Sequence, residues 1–267
     1  MVATRRNASI SVSDSEIFVV LSGSITCSEM SKSEGDEKIL SYNDVVLRKS
    51  DLDILNGPCY LNDRIIEFYF SYLCTCHPSE DILLSPPSIA FWIMNCPDTD
   101  GLKDFLQPLN LLDRNLVIFP VNDNNDVNKA EGGNHWSVLV FYREANLFVH
   151  HDSCKGVNNS SAKRLYRAVA RFMGVTNSTS EPSFVECSES PQQVNGHDCG
   201  LYVTAISRSI CRWYEQERKE VGGGDGFLWF SAVVKEVTPS LVADMRSEIL
   251  GLIRSFMALK EYQPASK

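Results

Sequence analysis

Helical periodicity occupies both ends of the chain, and strand-like apolar runs lie between them. Ile65, Ile66, Tyr69 and Leu73 recur at helical spacing behind Asn62, a residue type that caps helix starts. Ser85-Pro86-Pro87 opens a second helix through Ile89, Phe91, Trp92 and Ile93, because an N–H missing from the first turn has no intrahelical partner to lose. Leu116–Val121 predicts a strand, and Asn122–Gly133 a polar loop ending in glycine. Trp136–Tyr142 and Leu147–Asp152 predict a hairpin turning through Arg143-Glu144-Ala145-Asn146. A helix over Asn159–Met173, stopped by Gly174, precedes a strand at Ser183–Cys187. Cys199–Arg218 predicts a long helix with Leu201, Tyr202, Ala205, Ile206, Ile210 and Trp213 inward. After a loop at Gly222–Gly226, Pro239 opens a last helix through Val242, Met245, Ile249, Leu252 and Phe256. Residues 1–37, rich in Ser and broken by charge, read as a flexible tail. The remainder, 38–262, reads as one α+β domain.

A hydrophobic share of 43% is enough to fill a core of that size. The net charge of −9 disfavours nucleic acid and anionic membrane as partners. No run approaches the roughly 18 to 20 apolar residues that a membrane span needs. Nine cysteines, without metal-finger spacing and without a secretory signal, point to free thiols in a reducing compartment, the cytoplasm or nucleus. No cofactor is expected.

The hairpin brings the first chemistry together. If 143–146 form a symmetric turn, residue 142 pairs with 147 and 137 with 152. His135 then lies two positions beyond the partner of Asp152, on the same sheet face. Such diagonal neighbours stand roughly 7 to 8 Å apart at Cα, within hydrogen-bonding reach. A carboxylate there holds an imidazole's tautomer and stabilises its charged form. Spacing alone leaves open a plainer assignment, a strand-end histidine and a turn acid. His150 and His151 compete for the role of base. A metal site from those two with Cys154 is disfavoured, because adjacent strand residues point to opposite faces.

The nucleophile candidate is Cys199, where the polar turn Gln193-Val194-Asn195-Gly196-His197-Asp198 runs into the long helix. A helix N-terminus favours a thiolate and supplies N–H groups for a developing oxyanion. Gly196 is expected to relieve the turn, and Gly200 to keep the space beside the sulfur open. Gln193 is placed to lend a second oxyanion donor. The remaining cysteines, Cys27, Cys59, Cys74, Cys76, Cys96, Cys154, Cys187 and Cys211, are expected to be small buried hydrophobes.

Taken together, Gly133-Asn134-His135-Trp136-Ser137, then His151-Asp152-Ser153, then Gln193 through Cys199-Gly200 resemble the Ulp/SENP cysteine proteases, which cleave ubiquitin-like modifiers. The order His, Asp, Gln, Cys matches over about residues 38–260. Within the family, Ile39-Leu40-Ser41-Tyr42, Leu61-Asn62-Asp63 and Val121-Asn122-Asp123-Asn124 are similar to the NEDD8-specific deneddylases. The resemblance implies a papain-like fold with a central mixed sheet flanked by helices. It also implies a monomer that processes the NEDD8 precursor to its Gly-Gly end and removes NEDD8 from lysines. Relatives close two tryptophans over that tail. Trp136 matches one, and Tyr60 stands where the other is found; Asp63 matches a position that helps bind the modifier. His197 departs from the more usual Tyr or Ser and reads as a surface residue. A SUMO-directed enzyme and a catalytically silent modifier-binding module remain the alternatives, and reporter cleavage separates them.

Overall fold

The computed structural model describes residues 35–98, 101–129, 132–174, 181–219 and 228–261. Most of the expected tail and the Gly222–Gly226 loop lie outside them. A two-stranded hairpin, β1 (Lys38–Tyr42) and β2 (Val45–Arg48), leads into α1 (Lys49–Asn56) and α2 (Asp63–Cys76). Then come β3 (Ile82–Leu84), α3 (Pro87–Asn95), α4 (Leu102–Leu106), β4 (Leu116–Asn122), β5 (Trp136–Tyr142) and β6 (Leu147–His151). The chain continues through α5 (Asn159–Val169), β7 (Ser183–Glu186), α6 (Cys199–Lys219), α7 (Phe230–Glu236) and α8 (Pro239–Glu261).

The main sheet runs β3-β4-β5-β6-β7, antiparallel in the middle and parallel at both edges. Alternation along its central strands builds a core on each face. Leu116, Ile118, Val138, Val140 and Val149 join the cluster formed with α2, α6, α7 and α8. Val117, Phe119, Val121, Leu139, Phe141 and Phe148 join that formed with α3, α4 and α5. Covering on both sides explains why every residue of β4 is buried.

Asn62 caps α2 as expected, its side chain accepting from the Ile65 N–H at 3.0 Å. In α3 the buried positions are Pro87, Ala90, Ile93 and Met94, whereas Trp92 is 42% exposed. A helix apolar on all sides carries no period from which to read its inner face. Among the described residues no helix is long and apolar enough to cross a membrane.

Candidate active site

The hairpin register runs from Tyr142 opposite Leu147 to Val138 opposite His151, the pairing that the four-residue turn predicts. Past its open end, Gly133 takes φ +82°, a left-handed conformation suited to glycine. Asp123 Oδ1 accepts the backbone N–H groups of Asn134 (2.6 Å) and His135 (3.1 Å), fixing where the imidazole leaves the chain. His135 Nε2 donates to Asp152 Oδ1 at 2.6 Å. The same oxygen accepts from the Cys154 N–H (2.9 Å), and Oδ2 accepts from the Asn158 N–H (2.9 Å). Burial pushes the Asp152 carboxyl upward, but the bonds from His135, Asn158 and Cys154 hold it below the usual carboxylate range. It is an anchored, ionised acceptor.

Cys199 is the first residue of α6 and is fully buried. Asn195 Oδ1 shapes the preceding turn by accepting from the N–H groups of His197 (3.1 Å) and Asp198 (3.0 Å). The Asp198 carboxylate accepts from Arg246 Nη2 (3.0 Å) and Asn195 Nδ2 (2.6 Å). A side chain that ordinarily caps first-turn N–H groups is thereby turned elsewhere. Cys199 lies close enough to His135 to act on its protonation. Since Asp152 occupies Nε2, Nδ1 is the ring nitrogen left for the sulfur. Burial works against a charged imidazole, yet the bond to Asp152, the proximity of Cys199 and the negative charge of both raise His135 to about 9. The imidazole is therefore protonated at neutral pH, beside the sulfur and backed by a carboxylate. Such a chain of thiol, imidazole and carboxylate can carry out acyl transfer.

Gln193 is tied across to the residue after Asp152 and to the turn before Cys199. Its Oε1 accepts from Ser153 Oγ (2.8 Å), and its Nε2 donates to the Asn195 carbonyl (2.7 Å). Trp136 is half-buried and donates Nε1 to the Leu61 carbonyl at 3.0 Å, which draws the neighbouring Tyr60 to the same place. Tyr60 is 39% exposed; burial, the Cys199 charge and Asp123 all raise its phenol. Tyr60 thus stands near enough to the buried sulfur to feel its charge, and Trp136 is tied to the residue next to Tyr60. Asp63 is exposed in the first turn of α2, and the structure gives it only a local bond from the Arg64 N–H.

Some expectations change. Gly196 has no left-handed φ and open space around it, because Asn195 does the work of forming the turn. The space beside Gly200 is not open: Leu61 fills it, and an added Cβ would stand 2.8 Å from the Leu61 Cβ. Cys74, Cys76 and Cys154 are exposed, contrary to expectation, and Cys59 is buried but disulfide-bonded rather than free; Cys187 and Cys211 are free and buried as expected. Cys27 lies outside the described residues. The rival histidines are engaged on opposite faces. His150 accepts from Ser137 Oγ (2.9 Å) and donates to Glu186 (2.8 Å). His151 accepts from Trp229 Nε1 (2.8 Å), and burial together with the His150 charge lowers it to about 3. His197 stands 3.6 Å from the Asp198 carboxylate with 30% of its side chain exposed.

Sequence reasoning missed Asn158. It is fully buried, with Nδ2 donating to the Val121 carbonyl (3.0 Å) and Ser137 Oγ (2.9 Å) while its N–H holds Asp152. An asparagine before a helix reads as an outward cap, so no local signal marks it.

Fold and site define a cysteine protease, and the chain belongs to the Ulp1 protease family, whose C-terminal catalytic domain matches residues 97–219. NEDD8-specific protease 1 of Arabidopsis thaliana is 56% identical over 86% of this chain and 98% of that protein. Sentrin-specific protease 8 of Homo sapiens is 31% identical over 82% of this chain and 97% of that one. The fold also matches the C-terminal Ulp1 protease domain solved in complex with Smt3, the yeast ortholog of SUMO. That match has a TM-score of 0.55 and 16% identity, covering 86% of this chain and 92% of the other.

Proposed function

We propose that this chain is a deneddylase. It trims the NEDD8 precursor to its Gly-Gly terminus and cuts the isopeptide bond joining NEDD8 to lysines. The observation that carries this reading is the series Cys199, His135 and Asp152, with Tyr60 close to the sulfur and Trp136 tied to the adjoining Leu61. A buried sulfur beside an aromatic ring suits a tail of glycines, which has no side chains to pass. The likeness to NEDD8-specific protease 1 of Arabidopsis thaliana supplies the choice of modifier.

In the proposed reaction the Cys199 sulfur attacks the terminal glycine carbonyl. Gln193 and the Cys199 N–H receive the oxyanion. His135 gives its proton to the departing amine, leaving a thioester on Cys199. His135, now neutral, takes a proton from water as that water attacks, and the thiolate leaves. Asp152 holds the ring throughout. Asp63 meets the body of the modifier outside the cleft. The enzyme acts as a monomer in the cytoplasm or nucleus, where a reactive thiol stays reduced.

Cleavage of NEDD8, SUMO and ubiquitin C-terminal reporters tests this directly. The expected result is fastest turnover on NEDD8 and none by Cys199→Ala, which still binds the modifier. Faster turnover on SUMO would overturn the substrate, and full activity in Cys199→Ala the mechanism.

A further inference from the structure

The terminal torsion of a glutamine is soft, so an amide donor has a fixed direction only if its neighbours pin it. Gln193 is pinned twice. Ser153 Oγ–H donates to Oε1 at 2.8 Å, and Nε2 donates one N–H to the Asn195 carbonyl at 2.7 Å. Because the amide is planar, those two anchors set the direction of the second Nε2–H. The Asn195 carbonyl also forbids the flipped amide, which would set two acceptor oxygens face to face. Ser153 is itself held: it is 3% exposed, and its carbonyl accepts the Gln193 N–H at 2.9 Å. Alongside, Gln192 Nε2 donates to the Asp152 carbonyl at 2.9 Å, locking 152–153 to 192–193.

We infer that Ser153 is a positioning residue for the oxyanion donor, aiming the free N–H of Gln193 at the reacting carbonyl. This rests on the assignment of Gln193 as that donor. One dipeptide then serves both halves of the chemistry, Asp152 orienting the imidazole and Ser153 the amide. Without the serine hydroxyl, the amide plane swings about its remaining bond to Asn195, and Oε1 loses its donor. Substrate binding, which uses neither group, is untouched.

Steady-state kinetics on a modifier reporter, with a double-mutant cycle, test this. Ser153→Ala is expected to lower kcat about tenfold, the worth of roughly one hydrogen bond, with KM unchanged. Ser153→Thr, which keeps the hydroxyl, restores most of that loss. In a Gln193→Ala background, Ser153→Ala is expected to add nothing. If it slows that background by the same factor, the serine acts through something other than the amide and the inference fails. If Gln193→Ala alone leaves kcat intact, the oxyanion assignment fails first, and the role of Ser153 goes with it. Should the alanine variant not fold, Ser153→Cys keeps the size, weakens the donor and reads the same cycle.

Discussion

A single imidazole carries the pH dependence. His135 sits at about 9 against an ordinary 6.5, although its burial alone would lower it. Protonating a leaving amine needs the charged ring, so kcat/KM should hold through neutral pH and fall as pH rises through about 9. The same shift ties charge to folding: its stabilising contribution is complete below 6.5 and is lost as pH rises through about 9. In Asp152→Asn the negative charge disappears while burial remains, so the alkaline limb should move to lower pH. In Cys199→Ala an NMR titration should likewise find the His135 pKa lowered. A limb that stays in place in Asp152→Asn would refute this account. His135 and Asp152 were legible because a four-residue turn makes hairpin register a matter of counting. The orientations of Asn158 and Ser153 were not, because each depends on a segment distant in sequence.

Elements meet at Gly200. Within a helix, glycine to alanine ordinarily stabilises by up to about 1 kcal/mol. Here the added Cβ would stand 2.8 Å from the Leu61 Cβ, closer than packed carbons tolerate. Overpacking of this kind costs about 1 to 3 kcal/mol, which decides the sign. Gly200→Ala should therefore lower the urea midpoint. It should also raise KM, because the Leu61 carbonyl anchors Trp136 beside Tyr60. A variant as stable as the parent would show that Leu61 yields freely. The long helices α2, α6 and α8 were readable from periodicity. By contrast α1, α4, α7 and β3 are three to eight residues long, too short for a period to declare itself.

The whole molecule depends on its last helix to hold together parts far apart in sequence. Mixed strand order could be expected only through resemblance, since the parallel edges pair segments that local pattern does not connect. The same is true of Arg246 on α8. It donates to the carbonyls of Ile54 (3.0 Å) and Cys59 (2.9 Å) and to the Asp198 carboxylate (3.0 Å). One guanidinium thus joins the end of α1, the loop leading to Tyr60 and the residue before Cys199. Arg246→Met keeps much of the apolar stem but removes every donor. Asp198, with 11% of its side chain exposed, then retains Asn195 at 2.6 Å and the partly exposed His197 at 3.6 Å. Breaking a fully buried ion pair costs 3 to 5 kcal/mol. With part of this pair open to water, about 2 to 3 kcal/mol is expected. At a few degrees of Tm per kcal/mol in a chain of this size, calorimetry resolves the loss easily. Activity should fall at temperatures where the variant is still folded, because the loop carrying Tyr60 and the turn before Cys199 lose a shared support. A destabilised variant with unchanged kcat and KM would reduce Arg246 to a structural clamp without influence on the site.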